Sequence, residues 1–272
     1  MMSGFSADWL RLREPCDARS RSEELARALG ARLPLRPLQA VDLGTGTAAN
    51  IRYLAPRLEG EQSWLAIDDD PALIGQLPRE LKGPAFQCRV SARQLDLATG
   101  LDALPLAGCQ LVTASALLDL VSASWLQLLA ARCEAAGAAV LFALNYDGRM
   151  QCAPREPDDD WLCELVNRHQ QGDKGFGPAL GPWATRHACA LFEALGFGTR
   201  IAASDWVIEA DERALQQELI DGWIAAALEL VPGDRQRIVA WGARRRAHLV
   251  AGDSRLRVGH HDFIAWPTAA GG

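Results

Sequence analysis

Residues 40–50 read AVDLGTGTAAN, and the fold turns on them. An apolar run ends at Asp42 and Leu43, two glycines follow at Gly44 and Gly46, and helix-forming residues resume at Thr47. A strand that turns sharply into a helix needs glycine where the backbone must bend tightly and where a ligand lies against it with no Cβ in the way. Gly44-x-Gly46-x-x-Ala49 also fits the spacing of a dinucleotide-binding turn, so the glycines alone leave the ligand open. Asp42 narrows the choice. A carboxylate two residues before the first glycine repels an anionic pyrophosphate and attracts the ammonium of an amino acid.

Four further apolar segments follow this one. WLAID from Trp64, FQCRV from Phe86, QLVTAS from Gln110 and AAVLFAL from Ala138 begin at successive intervals of 24, 22, 24 and 28 residues, counted from Ala40. Helix-like stretches at 47–58, 71–79 and 122–136 lie between them. Strand, covering helix and next strand at this interval make the βαβ unit, and near-continuous apolar runs suit strands buried on both faces. The expected fold is α/β: a doubly wound, mostly parallel seven-stranded sheet with helices on both faces. Two later stretches, 199–209 and 258–267, mix polar with apolar positions and read as edge strands, the last antiparallel. Between them Leu215, Leu219, Trp223, Ala227 and Val231 repeat every four residues, and Pro232-Gly233-Asp234 breaks the chain before Ile238, Trp241 and Leu249. This predicts a helical hairpin at 211–251, inserted before the last strand. The chain reads as one domain over 1–272: a helical cap at 1–37, a ligand-binding core at 38–147, a substrate-cap segment at 148–198 and edge strands with the insertion at 199–267. Segments 146–159 and 171–184 show no periodicity and read as long loops, the usual bearers of function at the C-terminal ends of parallel strands.

Composition removes several classes of function. At 49% hydrophobic, 272 residues are enough to bury a core, which excludes a disordered chain. Lys and Arg number 28 against 34 Asp and Glu, and a net charge of −6 argues against broad capture of nucleic acid or an anionic membrane. Only Lys82 and Lys174 are lysines, which leaves few candidates for covalent amine chemistry. The 205–234 stretch holds eight acids and one base, and 235–257 seven bases and one acid; the two arms of the hairpin are expected to neutralise each other. Seven scattered cysteines without a CxxC pattern read as reduced thiols. Asp8, Arg11, Arg13 and Glu14 interrupt the N-terminal segment, so no signal peptide is expected, and the expected location is cytoplasmic.

The second strand supplies another carboxylate. Asp68 ends it and Asp69, Asp70 and Pro71 follow; Pro71 suits the first helical position and Asp70 the N-cap, which leaves Asp68 at the strand tip to accept both hydroxyls of a ribose. On these residues the chain resembles the class I S-adenosylmethionine-dependent methyltransferases. VDLGTGTAANIRYL is similar to their first motif, WLAIDDDPAL to their second, RQLDLATGLDALPL to the third-strand segment and ASALLDLVS to the segment after the fourth strand. The resemblance spans residues 38–147. It implies S-adenosyl-L-methionine as donor, S-adenosyl-L-homocysteine as product and no metal. Within the first motif it implies cofactor contacts from Asp42, Gly44, Thr45, Gly46 and Asn50. It gives the ribose to Asp68, a further cofactor contact to Asp69, the adenine amino group to Asp96, the ring to the Leu97 backbone amide and the donor pocket to Thr113, Ala114 and Ser115. The N-terminal segment is similar to the helical lid of small-molecule members, which implies Arg13 or Arg19 as partner of the cofactor carboxylate. Two departures stand out. Ala48 occupies the place of a further motif glycine, and the fourth strand ends in TASA instead of an Asn-Pro-Pro-Tyr type of motif, which puts DNA outside the expected acceptors.

A sulfonium donor is already activated, so transfer is an in-line displacement in which a protein supplies proximity, alignment and exclusion of water. A general base helps only when the acceptor must lose a proton. His260, at the start of an antiparallel last strand, falls at the ligand-binding edge and is a candidate catalytic residue together with Tyr146. Tyr146, Asp147 and Arg149 leave the sheet where an acceptor lies and are candidate substrate contacts. His260 and His261 point to opposite faces of their strand and cannot converge on one metal. The expected function is methyl transfer to an oxygen or nitrogen nucleophile of a small molecule, with no DNA or membrane partner. The alternatives are a non-catalytic S-adenosylmethionine-binding protein, a protein or RNA methyltransferase and, further off, an NAD-dependent oxidoreductase. The sequence leaves the oligomeric state and the identity of the acceptor open.

Overall fold

A computed structural model describes residues 6–33 and 37–268. Two helices come first, α1 (Ala7–Ser20) and α2 (Glu23–Gly30), each started by a serine. Ser6 accepts from the Trp9 amide at 3.1 Å and Ser22 from the Leu25 amide at 3.2 Å, which satisfies amides that a helix start leaves without partners. β1 (Leu38–Leu43) leads through the glycine turn into α3 (Ala49–Leu54). β2 (Gly60–Asp68) leads into α4 (Pro71–Ile74), where Asp70 caps the helix through the Ala72 amide at 2.7 Å and Pro71 takes the first turn. The expected helix at 71–79 ends after one turn. The chain turns instead into β3 (Glu80–Gly83), which pairs antiparallel with β4 (Phe86–Gln94). β5 (Leu111–Ser115), α5 (Ala123–Ala136), β6 (Ala139–Ala153), α6 (Asp159–Gln170) and α7 (Ala184–Ala194) follow. The chain closes with β7 (Phe197–Ala203), β8 (Trp206–Ile208), α8 (Arg213–Leu230), α9 (Arg235–Ala251) and β9 (Arg255–Pro267).

The sheet runs in the order β3-β4-β2-β1-β5-β6-β9-β7, with β8 also on β9. β4, β2, β1, β5 and β6 are parallel, and β9 lies antiparallel between β6 and β7. Among the described residues the strand count is nine, not the expected seven. β3 is one addition. The other arises because the 199–209 stretch breaks at Ser204 and Asp205, where the Ser204 amide bonds to the His260 carbonyl at 2.9 Å and separates β7 from β8. The 146–159 stretch is also more ordered than expected. β6 continues through it to Ala153, because β9 supplies backbone partners as far as Arg255.

Alternate side chains of the sheet feed two cores. Leu141, Ala143 and Ile264 join Ile51, Leu54, Trp64 and Trp241 on one face, whereas Val140, Phe142 and Phe263 join Leu126, Leu129 and Phe192 on the other. The charges of the helical hairpin sort differently from expectation. Arg246 reaches Asp221 across it, but Arg244 binds Glu156 and Asp158 at 2.7 Å each and Arg237 binds Asp158 at 2.9 Å, so the basic helix is neutralised mainly by the segment ahead of α6. Among the described residues no helix is long and apolar enough to cross a membrane.

Asp262 of β9 fastens the helical cap to this sheet. Its carboxylate accepts from the Ser22 amide at the start of α2 and from the Leu144 amide of β6, at 2.9 Å each, and lies 3.6 Å from Nε of the buried Arg21. Leu144 has a left-handed φ of 54° within a bulge of β6, a conformation that the Asp262 contact holds in place. Replacing Asp262 with alanine leaves a buried guanidinium and two buried amides without their partner. Asp262→Ala is expected to cost about 3–5 kcal/mol in urea unfolding; a loss below about 1 kcal/mol would show that the latch carries no weight.

Candidate functional site

The glycine turn is built as a cradle. Gly44 and Gly46 have φ of 60° and 54°, and the Gly46 amide donates to the Asp68 carboxylate at 2.8 Å, which ties the turn to the tip of β2. A Cβ on Gly46 would sit 2.9 Å from the Leu10 Cδ1 of α1, so the cap helix rests directly on the turn. Ala48 is also left-handed, at φ 64°, a conformation that costs an L-residue roughly 1 kcal/mol. It stands where the resemblance has a further glycine, and the backbone there retains the geometry glycine would favour.

Asp42 is placed behind the cradle. It is 1% exposed and accepts three hydrogen bonds of 2.6 Å, from Thr45 Oγ1, Asn50 Nδ2 and Thr113 Oγ1. Burial pushes its carboxyl up in pKa, and these bonds oppose the shift. The expected direct contact between Asp42 and a ligand ammonium is therefore corrected: the carboxylate is spent on joining β1, the turn, α3 and β5. Thr45, Thr113 and Ala114 are buried with it, and of the β5 residues named from the sequence Ser115 reaches the cavity wall.

In front of the turn lies a cavity of about 280 Å³. Gly44 and Gly46 form its floor, and Asp68, Asp69, Asp70 and Asp96 bring four carboxylates to it against the single cation of Arg13. Leu73, Leu95, Leu97 and Phe176 supply apolar walls. Asp68 is 8% exposed; burial pushes its carboxyl up, against the amides of Asp70 and Gly46 that bond it. Each of its oxygens takes one such amide, at 3.1 and 2.8 Å, which leaves each a further lone pair. Asp96 is held by the Ala98 amide at 2.8 Å and Thr99 Oγ1 at 3.0 Å. Trp125 Nε1 donates to the Leu97 carbonyl at 2.7 Å and meets Phe176 edge-on, with centroids 5.5 Å apart. The sequence brought Gly44, Gly46, Asp68, Asp69, Asp96, Leu97 and Ser115 to this place, and the fold gathers them.

A second cavity, of about 220 Å³, lies between α1 and α3, and Ser115 lines it as well as the first. Asn50 lines it beside Arg21, whose Nη1 donates to Asn50 Oδ1 at 2.7 Å. Arg19 is elsewhere: it points from α1 toward α8, bound to Glu212 at 2.6 Å and to the Val207 carbonyl at 3.1 Å. Its expected role toward a cofactor carboxylate is corrected by that ion pair. Arg21, one helical turn from Asp17 and immediately before the Ser22 cap, is the residue that sequence reasoning missed; its place at the joint between two cap helices was the available signal.

The residues expected on the acceptor side disperse. Tyr146 is 7% exposed, donates its hydroxyl to Asn167 Oδ1 at 2.7 Å and has its phenol pushed up by burial, so the hydroxyl is a spent donor and a poor base. Asp147 and Arg149 pair with each other and line a separate cavity with Trp183, Arg186 and His261; Arg149 also binds Asp205 at 2.7 Å. His260 is 6% exposed, its Nδ1 lies 3.0 Å from the Val258 carbonyl, and burial and the nearby Arg13 push the imidazole down to about 3. It is neutral near pH 7 and a weak base. The unexpected acid is Asp119, in the turn just past β5. It is 7% exposed, its Oδ1 has no hydrogen-bond partner among the described residues, and burial pushes the carboxyl up to about 6 against the pull of main-chain amides and of Arg13. Among the described residues no group of three or more His, Cys, Asp or Glu is placed to hold a metal ion.

No family model matches the chain, and no curated protein matches it. Solved structures with a similar chain path include a putative type II methyltransferase from Anaeromyxobacter dehalogenans, at 18% identity over 91% of this chain and 97% of that one, with a TM-score of 0.48. A cyclopropane synthase from Mycobacterium tuberculosis is similar at 11% identity, over 90% of this chain and 82% of that one, with a TM-score of 0.47. A S-adenosylmethionine-dependent methyltransferase from Geobacter sulfurreducens, solved with S-adenosyl-L-homocysteine, is similar at 15% identity over 92% of each chain, with a TM-score of 0.44.

Asp119 gives the site a measurable pH signature. The folded protein holds this proton more tightly than the unfolded chain does, with a pKa of about 6 against 3.8. Stability therefore falls as pH rises from about 4 to about 6 and levels off above that, and the full cost of ionising the buried group is about 3 kcal/mol. Asp119→Asn removes that cost. In urea unfolding the variant is expected to gain on the parent by about 2–3 kcal/mol at pH 8 and by less than about 1 kcal/mol at pH 4. An equal difference at both pH values would show that Asp119 does not titrate in the fold.

Proposed function

We propose that the protein is a methyltransferase that uses S-adenosyl-L-methionine and acts on an oxygen or nitrogen nucleophile of a small molecule. The observation that carries this reading is the charge of the first cavity, four carboxylates against one arginine around a glycine cradle. A dinucleotide would bring a pyrophosphate dianion into that field, whereas a sulfonium nucleoside brings a positive charge and hydroxyl donors. In this reading the free lone pairs of Asp68 accept the ribose hydroxyls, Leu73, Leu95 and Leu97 enclose the adenine, Asp96 faces its amino group, and Gly44 and Gly46 let the sulfur end approach the backbone.

The bound donor supplies an activated methyl group. The chain's own residues supply the rest: Asp68 and Asp96 fix the nucleoside, Leu10 of α1 closes over the turn and keeps water out, and Arg13, Leu117 and Phe176 wall the end of the cavity from which an acceptor approaches. His260, Tyr146, Asp147 and Arg149 have no direct part. Asp119, two residues past the cavity-lining Leu117, is a buried carboxyl outside the cavity wall.

Titration calorimetry tests the reading directly. S-adenosyl-L-homocysteine is expected to bind and NADH not to bind, and Asp68→Ala is expected to weaken the former at least tenfold, through loss of charge-assisted hydrogen bonds of about 1.5–3 kcal/mol each. NADH binding with no response to S-adenosyl-L-homocysteine would replace the methyltransferase with the oxidoreductase. Binding of S-adenosyl-L-homocysteine with no acceptor-dependent turnover across a broad panel of small amines, alcohols and phenols would favour the non-catalytic protein.

A further inference from the structure

The sequence offers two lysines for covalent amine chemistry, Lys82 and Lys174, and the fold treats them differently. Lys82 stands on the edge strand β3, its side chain 63% exposed and paired with Glu80 at 3.0 Å. Lys174 lies half-buried in the loop between α6 and α7. α6 ends with Arg168 and His169 in its last turn, and the Gly172 amide donates back to the His169 carbonyl at 3.0 Å. One oxygen of Asp173 takes the amides of Gly175 and Gly177, at 2.7 and 3.0 Å. These bonds fold the loop back on the helix end, where Nζ of Lys174 lies 3.2 Å from Nδ1 of His169. The other ring nitrogen, Nε2, lies 2.8 Å from the Glu229 carboxylate of α8. A carboxylate only accepts, so Nε2 carries the ring proton and Nδ1 keeps the lone pair that faces Lys174. Partial burial pushes the Lys174 ammonium down in pKa, against the pull of Glu229. Amine, base and orienting carboxylate thus stand in series, the arrangement that activates a nucleophile by taking its proton.

We infer that Lys174 is a site of acylation by a thioester, with His169 as the base that takes its proton and Glu229 as the group that orients His169. The amine nitrogen attacks the thioester carbonyl; a carbon–nitrogen bond forms, the carbon–sulfur bond breaks and the thiolate leaves. The proton lost by nitrogen passes to Nδ1 of His169 and from there to the thiolate, so an amide and a free thiol are the products and no oxidant or reductant is needed. The reagent class follows from the charges around the amine. Asp173 precedes Lys174 in the loop and Glu229 faces it from α8, and both disfavour a phosphate leaving group at the reacting carbon, where a thioester carries no charge. Acylation removes the positive charge of the loop that brings Phe176 to the wall of the first cavity. No residue of that cavity takes part in the step, so the site stands apart from the methyl-donor reading.

Peptide mass spectrometry of the whole protein treated with the acetyl thioester of N-acetylcysteamine tests this, because Lys82 is a comparison within the same chain. At about pH 8 Lys174 is expected to be acetylated about tenfold or more faster than Lys82. His169→Gln is expected to bring the Lys174 rate down to that of Lys82, and Glu229→Gln to lower it about threefold or more, with the Lys82 rate unchanged in both. Circular dichroism checks that each variant is folded, and the Glu229 side chain, 70% exposed, is replaced without opening a core, so a fold lost in the histidine variant leaves the second variant to decide. Equal rates at the two lysines of the parent overturn the site, and so does an unchanged Lys174 rate in both folded variants. A preference for Lys174 that persists in the urea-unfolded chain also overturns it, since that chain keeps the residues next to the lysine and loses the approach of His169 and Glu229.

Discussion

The structure hangs on a buried carboxylate that no solvent reaches. Asp42 collects Thr113 from β5, Thr45 from the glycine turn and Asn50 from α3, and Asn50 passes the connection to Arg21 at the joint of the cap helices. Arg21 faces Asp262 on β9, which in turn holds the Leu144 and Ser22 amides. A continuous line of polar contacts therefore runs from the centre of the parallel strands to the antiparallel edge and the cap. Each group in it that is removed from water without a partner costs more than an ordinary hydrogen bond returns, and its weakest link is Arg21 Nε, which meets Asp262 at 3.6 Å as an ion pair and not as a hydrogen bond. The constraint explains why the cap sits where it does: α2 can begin only where Ser22 meets Asp262, and α1 is thereby laid across the glycine turn.

This line also separates two electrostatic compartments. In front of it lie Asp68, Asp69, Asp70 and Asp96, and beside Asn50 lie Arg21, Arg52 and Arg57. Ser115 lines both cavities, and the arginines beside Asn50 are compensated within the fold, Arg21 by Asp262, Arg52 by Glu14 and Arg57 by Glu23, whereas the four carboxylates of the first cavity face the guanidinium of Arg13.

Much of the core was legible in the sequence because short βαβ units are encoded locally. The even spacing of apolar runs gave the parallel strands, and AVDLGTGTAAN and WLAIDDDPAL gave the turn, the cap at Asp70 and the strand-tip acids, since each depends on residues a few positions apart. What was not legible depends on partners far along the chain. Residues 146–153 lack a strand pattern and become β6 because β9 lies alongside. Arg19 and Arg21 are near neighbours on a basic stretch, and only the positions of Glu212 and Asp262 decide which of them turns inward. Asp42 looked available to a ligand until Thr113, 71 residues away, closed over it. The acceptor-side residues failed for the same reason: Asn167, Asp205 and Val258 took the hydrogen-bonding groups of Tyr146, Arg149 and His260.

The cap helix α1 is held in large part by polar contacts, and its composition explains that. Among its 14 residues only Arg13 and Cys16 are buried. It is held by polar contacts at its edges, Glu14 with Arg52 and Arg11 with Gln76, by the stack of Arg13 on Trp206 at 4.9 Å, and by Leu10 on Gly46. Exposed or half-exposed ion pairs contribute about 1 kcal/mol or less each, far below the burial energy of the strands beneath. An element secured in this way opens at lower cost than the sheet it covers. The polar line through Arg21 and Asp262 anchors its C-terminal end, and Leu10 rests on the glycine turn toward the other.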